Sequence, residues 1–151
     1  MNDRVVVAGL GNDYRGDDGA GPAVARLVAA STGAIDIGPI AEPLDLLGKW
    51  DGACLAVVVD AMRTGAPPGT VCVVDIETES SRQTTSTHAI GLGRVVRLAS
   101  VLGTGPRRVV VLGVEGADFA DGQGLSDAVG RAVPRAAAAA AELLFAAGLQ
   151  S

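Results

Sequence analysis

Asp18, Asp60 and His88 lie far apart in the chain, yet together they have the chemistry of a divalent-metal site. Two carboxylates and one imidazole make an oxygen, oxygen, nitrogen donor set that leaves coordination positions open. His88 is the only histidine among the 151 residues, so no other imidazole competes for that place. A helix N-terminus beside it disfavours its cation by about 0.3–1 kcal/mol, while neighbouring carboxylates favour it. A bound metal selects the neutral ring. Each residue alone also has a plainer reading. Asp18 suits a turn or cap in a strand-to-helix loop, Asp60 a cap at a strand end, and His88 the surface of a first helical turn. Convergence of all three on one place is what argues for chemistry. Covalent catalysis is disfavoured, because there is no Ser/His/Asp pattern and neither Cys54 nor Cys72 has an evident histidine partner.

The elements that must position these residues begin with Val5–Gly21, VVVAGLGNDYRGDDGAG. Val5 to Ala8 is too uniformly apolar for a half-exposed strand and suits a central one. Gly9 and Gly11 punctuate the chain, and Asn12, Asp13, Asp17 and Asp18 load the loop that follows with polar groups. A helix opens at Ala20, with Ala20, Val24, Leu27 and Val28 on one face and Pro22 tolerated in its first turn. It ends at Ser31-Thr32-Gly33. Ala34–Gly38 reads as a second strand, Leu44–Trp50 as a short helix or turn, and Cys54–Val59 as a buried strand running directly into Asp60.

Gly65–Gly69 is a turn with strong breaker chemistry, and Thr70–Ile76 is a strand. Glu77–Thr87 is long and polar, and Thr87 is placed to cap a helix beginning at His88. That helix has an apolar face of Leu92, Val95, Val96, Ala99 and Leu102. Arg108–Val114 is the last buried strand, ending at Glu115, whose plainer reading is structural. A Gly- and Asp-rich loop, Gly116–Gly124, leads to Ser126, a cap for the final helix. Pro134 should kink or split that helix before it runs on to Ala147.

This alternation of strand and helix gives a three-layer α/β/α sandwich. A helix joining two parallel strands starts at the carboxyl edge of the sheet. Asp18 follows the first strand and Asp60 ends the third, so both belong on that edge. If Arg108–Val114 is parallel to them, His88 begins its helix there too. Ligands of open α/β sheets bind on that edge. A dinucleotide fold is a rival reading, since Gly9-x-Gly11 follows a strand and Asp36 mimics a ribose-binding acid. Tyr14, however, stands where the third glycine belongs, and Asp17 and Asp18 would repel a pyrophosphate.

A chain of this length, residues 1–151, is most simply one domain with a sizeable core. Its net charge of −5 argues against nucleic acid or an anionic membrane as partner. Cys54 and Cys72 fall in predicted strands without metal spacing, and read as buried, reduced packing residues. No basic-then-apolar targeting run opens the sequence, and Ala136–Ala147 is too short to span a bilayer and carries Glu142. The expectation is a cytoplasmic protein.

Several blocks together resemble one family. They are Gly9-Leu10-Gly11-Asn12 followed by Asp17-Asp18-Gly19-x-Gly21, and Val59-Asp60-Ala61 leading to Pro68-Gly69-Thr70. Ser86-Thr87-His88, Leu112-Gly113-Val114-Glu115 and Gly124-Leu125-Ser126 follow in order. In this the chain is similar to the hydrogenase maturation endopeptidases, which trim the carboxyl-terminal extension of a [NiFe]-hydrogenase large subunit after nickel insertion. The resemblance implies a five-stranded, mostly parallel sheet with Thr70–Ile76 as an antiparallel edge strand. It implies that Asp18, Asp60 and His88 are both the metal-contacting and the catalytic residues. It further implies nickel as the metal, carried by the large-subunit precursor that is the partner, and a monomeric enzyme. Two departures stand out: Gly116 where many members have proline, and Gly38-Pro39-Ile40-Ala41 in place of a Gly-Thr-rich loop thought to face the substrate. A non-catalytic nucleotide- or metal-binding module on the same scaffold is the alternative.

Overall fold

The computed structural model describes residues 4–74, 89–122 and 124–146. Five strands, β1 (Val5–Leu10), β2 (Ile35–Ile40), β3 (Leu55–Met62), β4 (Val71–Val74) and β5 (Arg108–Glu115), form one sheet in the order β2-β1-β3-β5-β4. All neighbours pair in parallel except β4, which runs antiparallel to β5 at the edge. Among the described residues three α-helices cover the sheet: α1 (Ala20–Ser31), α2 (Ala89–Leu102) and α3 (Asp127–Ala146). The expected mixed sheet in a three-layer sandwich is what forms.

Side-chain alternation along the central strands divides the core in two. Val5 and Val7 of β1, Val57, Val59 and Ala61 of β3, and Leu112 and Val114 of β5 pack against Val24 and Val28 of α1 and Ala132, Ala136 and Leu144 of α3. On the opposite face Val6, Ala8 and Leu10, Ala56 and Val58, and Val111 meet Leu92, Val95 and Ala99 of α2 together with Leu46 and Trp50. Both faces of β1 and β3 are therefore closed to water, as their unbroken apolar runs require.

Two glycines set how closely α1 lies on the sheet. A Cβ at Gly9 would overlap the backbone of Gly21 and Pro22, and a Cβ at Gly21 would overlap the carbonyl oxygens of Val59 and Leu10. Backbone meets backbone here. This contact sets the start of α1, and the tight 3-10 turn Gly16–Gly19 before it, over the carboxyl ends of β1 and β3. On the other face, α2 begins beside Pro43, whose ring lies 3.2 Å from where a Cβ on Gly91 would sit. It ends at the amino edge, where the Thr104 carbonyl accepts the Gly52 N–H at 3.0 Å. The helix thus runs from the carboxyl edge to the amino edge, as a right-handed crossover demands.

Several elements depart from their sequence limits. Strand β3 does not stop at Val59: its pairing with β5 continues through Asp60↔Gly113, Ala61↔Val114 and Met62↔Glu115. Asp60 is a strand residue rather than a strand cap. β2 runs on to Ile40 by absorbing a bulge between Asp36 and Pro39, made possible by Gly38 at φ +95°. Its Pro39 is tolerable because β2 is an edge strand. The turn after it is a 3-10 turn over Pro43–Leu46. Leu27 and Leu102 are exposed, because the stripes buried by α1 and α2 are narrower than the apolar periodicity suggests. Cys54 precedes β3 and is half-buried, and Cys72 is exposed on the short edge strand, so neither is a buried packing residue. α3 is one continuous helix across Pro134. Pro134 lies on the exposed side, and Gly130, whose carbonyl it cannot bond, is exposed as well. The Glu77–Thr87 segment, the Thr87 cap and His88 lie outside the described residues.

Replacement of Gly21 by alanine drives a methyl group into the Val59 and Leu10 carbonyls. Overpacking of this kind costs about 1–3 kcal/mol or more. Urea denaturation of Gly21→Ala is expected to show that loss, and an unchanged midpoint would mean α1 lies further from the sheet than described.

Candidate functional site

Between β1 and α1 the chain has to turn sharply while carrying Asn12, Asp13, Asp17 and Asp18. Gly11 makes the first bend at φ +128°, and a Cβ there would overlap the Asp18 carbonyl oxygen. Gly16, at φ +58°, lies so close to the Asp118 carbonyl that a Cβ there would also overlap. Only glycine fits either place. The turn that results presents Asp17 and Asp18 as neighbours with different partners.

Asp18 is 5% exposed, and one carboxylate oxygen, Oδ2, accepts the Asn12 N–H at 2.9 Å. Its own N–H reaches the Arg15 carbonyl at 3.1 Å. Asp60 is 2% exposed. It alternates with Ala56 and Val58 and so falls on the α2 face of the sheet, near the carboxyl ends of β3 and β5. The structure therefore brings Asp18 and Asp60 to the same edge, both as buried carboxylates. Among the described residues no three His, Cys, Asp or Glu side chains group closely enough to hold a metal ion. His88, the third predicted donor, lies outside them and directly precedes Ala89, the first residue of α2. Oxygen donors such as Asp18 and Asp60 suit a divalent cation, and one added nitrogen donor would complete a facial set.

Asp17 is a site residue whose importance the sequence concealed. It is fully buried, and its carboxylate accepts four hydrogen bonds. Oδ2 takes the N–H groups of Ala117 at 2.7 Å and Asp118 at 2.9 Å and the Ser126 hydroxyl at 2.8 Å, while Oδ1 takes the Ser126 N–H at 2.7 Å. The Asp17 N–H in turn donates to the Asp118 carbonyl at 2.7 Å. Ser126 sits one residue before α3, as expected of a cap, but its hydroxyl serves Asp17. Burial by itself would raise the Asp17 pKa; the three backbone donors and the hydroxyl outweigh it and hold the carboxyl below its ordinary value.

Glu115 closes the next part of the rim. It is 5% exposed, and its carboxylate accepts the Thr64 N–H at 3.0 and 3.1 Å and the Thr64 hydroxyl as well. The turn after β3 is thereby tied to the end of β5, consistent with a structural task. Beside it the Arg63 guanidinium lies 3.8 Å from the centre of the Phe119 ring. That ring occupies the space a side chain at Gly116 would need, and the Gly116 N–H donates to the Met62 carbonyl at 3.0 Å. Proline at this position could do neither.

The dinucleotide reading fares poorly. Asp36 lies near the beginning of β2 and accepts the Gly38 N–H at 2.8 Å, so it does not stand at the carboxyl edge. The N-terminus of α1 is entered from a turn holding two buried carboxylates, which is hostile to a pyrophosphate.

Comparison with known proteins follows the same direction. A family described as hydrogenase maturation protease matches residues 33–143, a span that includes Asp60 and His88. Among solved structures the chain is similar to the [NiFe] hydrogenase maturation protease HybD from Thermococcus kodakarensis. The two are 25% identical, with 93% of this chain and 98% of that one covered and a TM-score of 0.76. It is also similar to a hydrogenase 2 maturation peptidase from a Thaumarchaeota archaeon, at 26% identity over 95% and 99% of the chains, with a TM-score of 0.65. The hydrogenase maturating endopeptidase HybD from E. coli superposes with a TM-score of 0.80 over 97% and 95% of the chains; at 23% identity that likeness speaks for the fold. No curated protein sequence matched.

The lowered pKa of Asp17 has a definite sign in stability. Its contribution is fully present above the ordinary value of 3.8 and disappears as pH falls through the lower folded value. Urea denaturation at neutral and acidic pH is therefore expected to show Asp17→Asn less stable by about 2–4 kcal/mol at neutral pH, with the gap closing in acid. A gap that widened in acid would contradict the carboxylate's role.

Proposed function

Because the chain belongs to the hydrogenase maturation protease family, and so is a peptidase, we propose that it removes the carboxyl-terminal extension of a [NiFe]-hydrogenase large-subunit precursor once nickel is in place. The family match carries this reading, since it spans Asp60 and His88 and accords with the fold throughout. The burial of Asp18 and Asp60 on one sheet edge supports it.

In this reading Asp18, Asp60 and His88 contact the nickel that the precursor already holds. A set with a single nitrogen donor binds nickel loosely, so the ion arrives with the substrate rather than residing in the enzyme. Other divalent metals suit the same donors. Engagement of the ion sets the register of the precursor, which places its extension across the carboxyl edge. Hydrolysis then follows one of two routes. Either the substrate's metal polarises the scissile carbonyl, or a water attacks it after giving a proton to a carboxylate of this pair. In the second route that proton passes on to the departing amine. A buried carboxylate suits this task, because loss of water strengthens its interaction with a nearby cation.

Choice of precursor is assigned to the stretch Gly38–Leu46. Gly38–Ile40 belongs to β2, and Pro43 and Leu46 are buried, which leaves Ala41, Glu42, Leu44 and Asp45 as the residues free to vary, with Leu44 59% exposed. Exchange of these four residues for those of a relative is expected to change which of two precursors is cut while circular dichroism stays unchanged. Unaltered preference would place the determinant elsewhere.

Asp60→Asn keeps the shape of the side chain and removes its charge, so the fold should persist. Processing of nickel-loaded precursor is expected to fall 10²- to 10⁴-fold, the usual worth of an acid–base or positioning group. Metal-free precursor should stay uncut by wild type and variant alike. Efficient cleavage of the metal-free form by the wild-type protein would overturn recognition through the substrate's nickel. Normal processing by the variant would remove Asp60 from the active site.

A further inference from the structure

The carboxylate of Asp17 is fully buried and so cannot touch a substrate, yet it accepts four hydrogen bonds beside the proposed site. We propose that Asp17 is a positioning residue that holds Asp18 in its working place by clamping the turn Gly16–Gly19 to residues 117–126. The proposal rests on the reading that Asp18 meets the substrate.

The argument begins with how little the turn can do for itself. It is four residues long and is closed by the Ala20 N–H bonding back to the Asp17 carbonyl. Gly16 and Gly19 flank the acidic pair and add no side-chain anchor. External ties must fix it. Asp17 provides them at both its backbone and its side chain: its N–H reaches the Asp118 carbonyl, and its carboxylate takes the Ala117, Asp118 and Ser126 amides and the Ser126 hydroxyl. All of these partners lie about a hundred positions along the chain, on the loop between β5 and α3. Donors converging on one carboxylate leave it a single rotamer, because each oxygen has its own fixed set.

Asp18 is the next residue, and its side chain goes to a different partner, the Asn12 N–H. Any rotation of the Asp17 peptide unit therefore swings the Asp18 carboxylate off that N–H. Displacement of a reacting group by about 1 Å can lower a rate 10²-fold. The clamp thus governs the geometry of Asp18 while remaining out of reach of the reaction.

Asp17→Asn and Ser126→Ala test this in a graded way, with Asp18→Asn as the comparison. Amide hydrogen exchange at Asn12 reports the Asp18 carboxylate directly, and exchange at Val58, deep in β3, reports overall stability. In Asp17→Asn the Asn12 amide is expected to exchange at least tenfold faster after correction by Val58, and kcat for nickel-loaded precursor to fall tenfold or more with KM little changed. Ser126→Ala, which removes one donor of four, should shift both readouts less and in the same direction. An Asn12 rate that moves only in step with Val58 would overturn the proposal, since Asp17 would then be stabilising the fold alone. So would normal kcat in Asp17→Asn when Asp18→Asn is inactive. Normal processing by Asp18→Asn would instead overturn the functional reading of Asp18, and with it a role for Asp17 in the reaction.

Discussion

A buried carboxylate is tolerable only if donors replace the water it has lost, and Asp17 meets that condition with four donors from a single distant loop. Charge-assisted bonds are each worth about 1.5–3 kcal/mol, and here they must first offset the cost of removing the charge from water. The balance is favourable only while all of them are made together. The entry to α1 and the entry to α3 are consequently joined. Gly16 exists in its left-handed conformation to let this contact form, and Ser126 surrenders its capping hydroxyl to it.

Two further ties complete the same edge. The Gly9–Gly21 contact sets the depth of α1 on the sheet, and Glu115 holds Thr64 so that the chain leaving β3 bends back beside β5. Around them Gly116 makes room for Phe119 and, through that ring, for Arg63. The rim is acidic within and carries an arginine on its lip. Its rigidity derives from backbone donors satisfied by side chains, which is how a loop-built site acquires the precision of a helix or strand.

How legible this was differs from residue to residue. The apolar runs Val5–Ala8 and Cys54–Val59 announced central strands, because burial on both faces leaves no room for alternation. Asp18 and Asp60 could be placed on one edge from connectivity alone, since a crossover helix must start where its strand ends. Asp17 could not be separated from Asp18, as both are acids in one loop and the partners of Asp17 lie about a hundred residues away. No local pattern encodes such a pairing. The end of β3 was hidden by Asp60 itself, a residue that looks like a cap and is instead a rung of the sheet paired with Gly113. In β2, Gly38 and Pro39 looked like breakers, but an edge strand can absorb both through a bulge.

That edge has a bearing on the company the protein keeps. An open strand normally offers an evenly spaced row of amides and carbonyls to any extended peptide that drifts alongside. In β2 the row is spoiled, because Pro39 has no N–H and the bulge at Gly38 puts its neighbours out of step. A peptidase meets such peptides constantly. Indiscriminate capture by sheet extension would tie up the enzyme or glue copies of it together. The misfit along β2 discourages that adhesion, because an incoming backbone finds no regular ladder to extend.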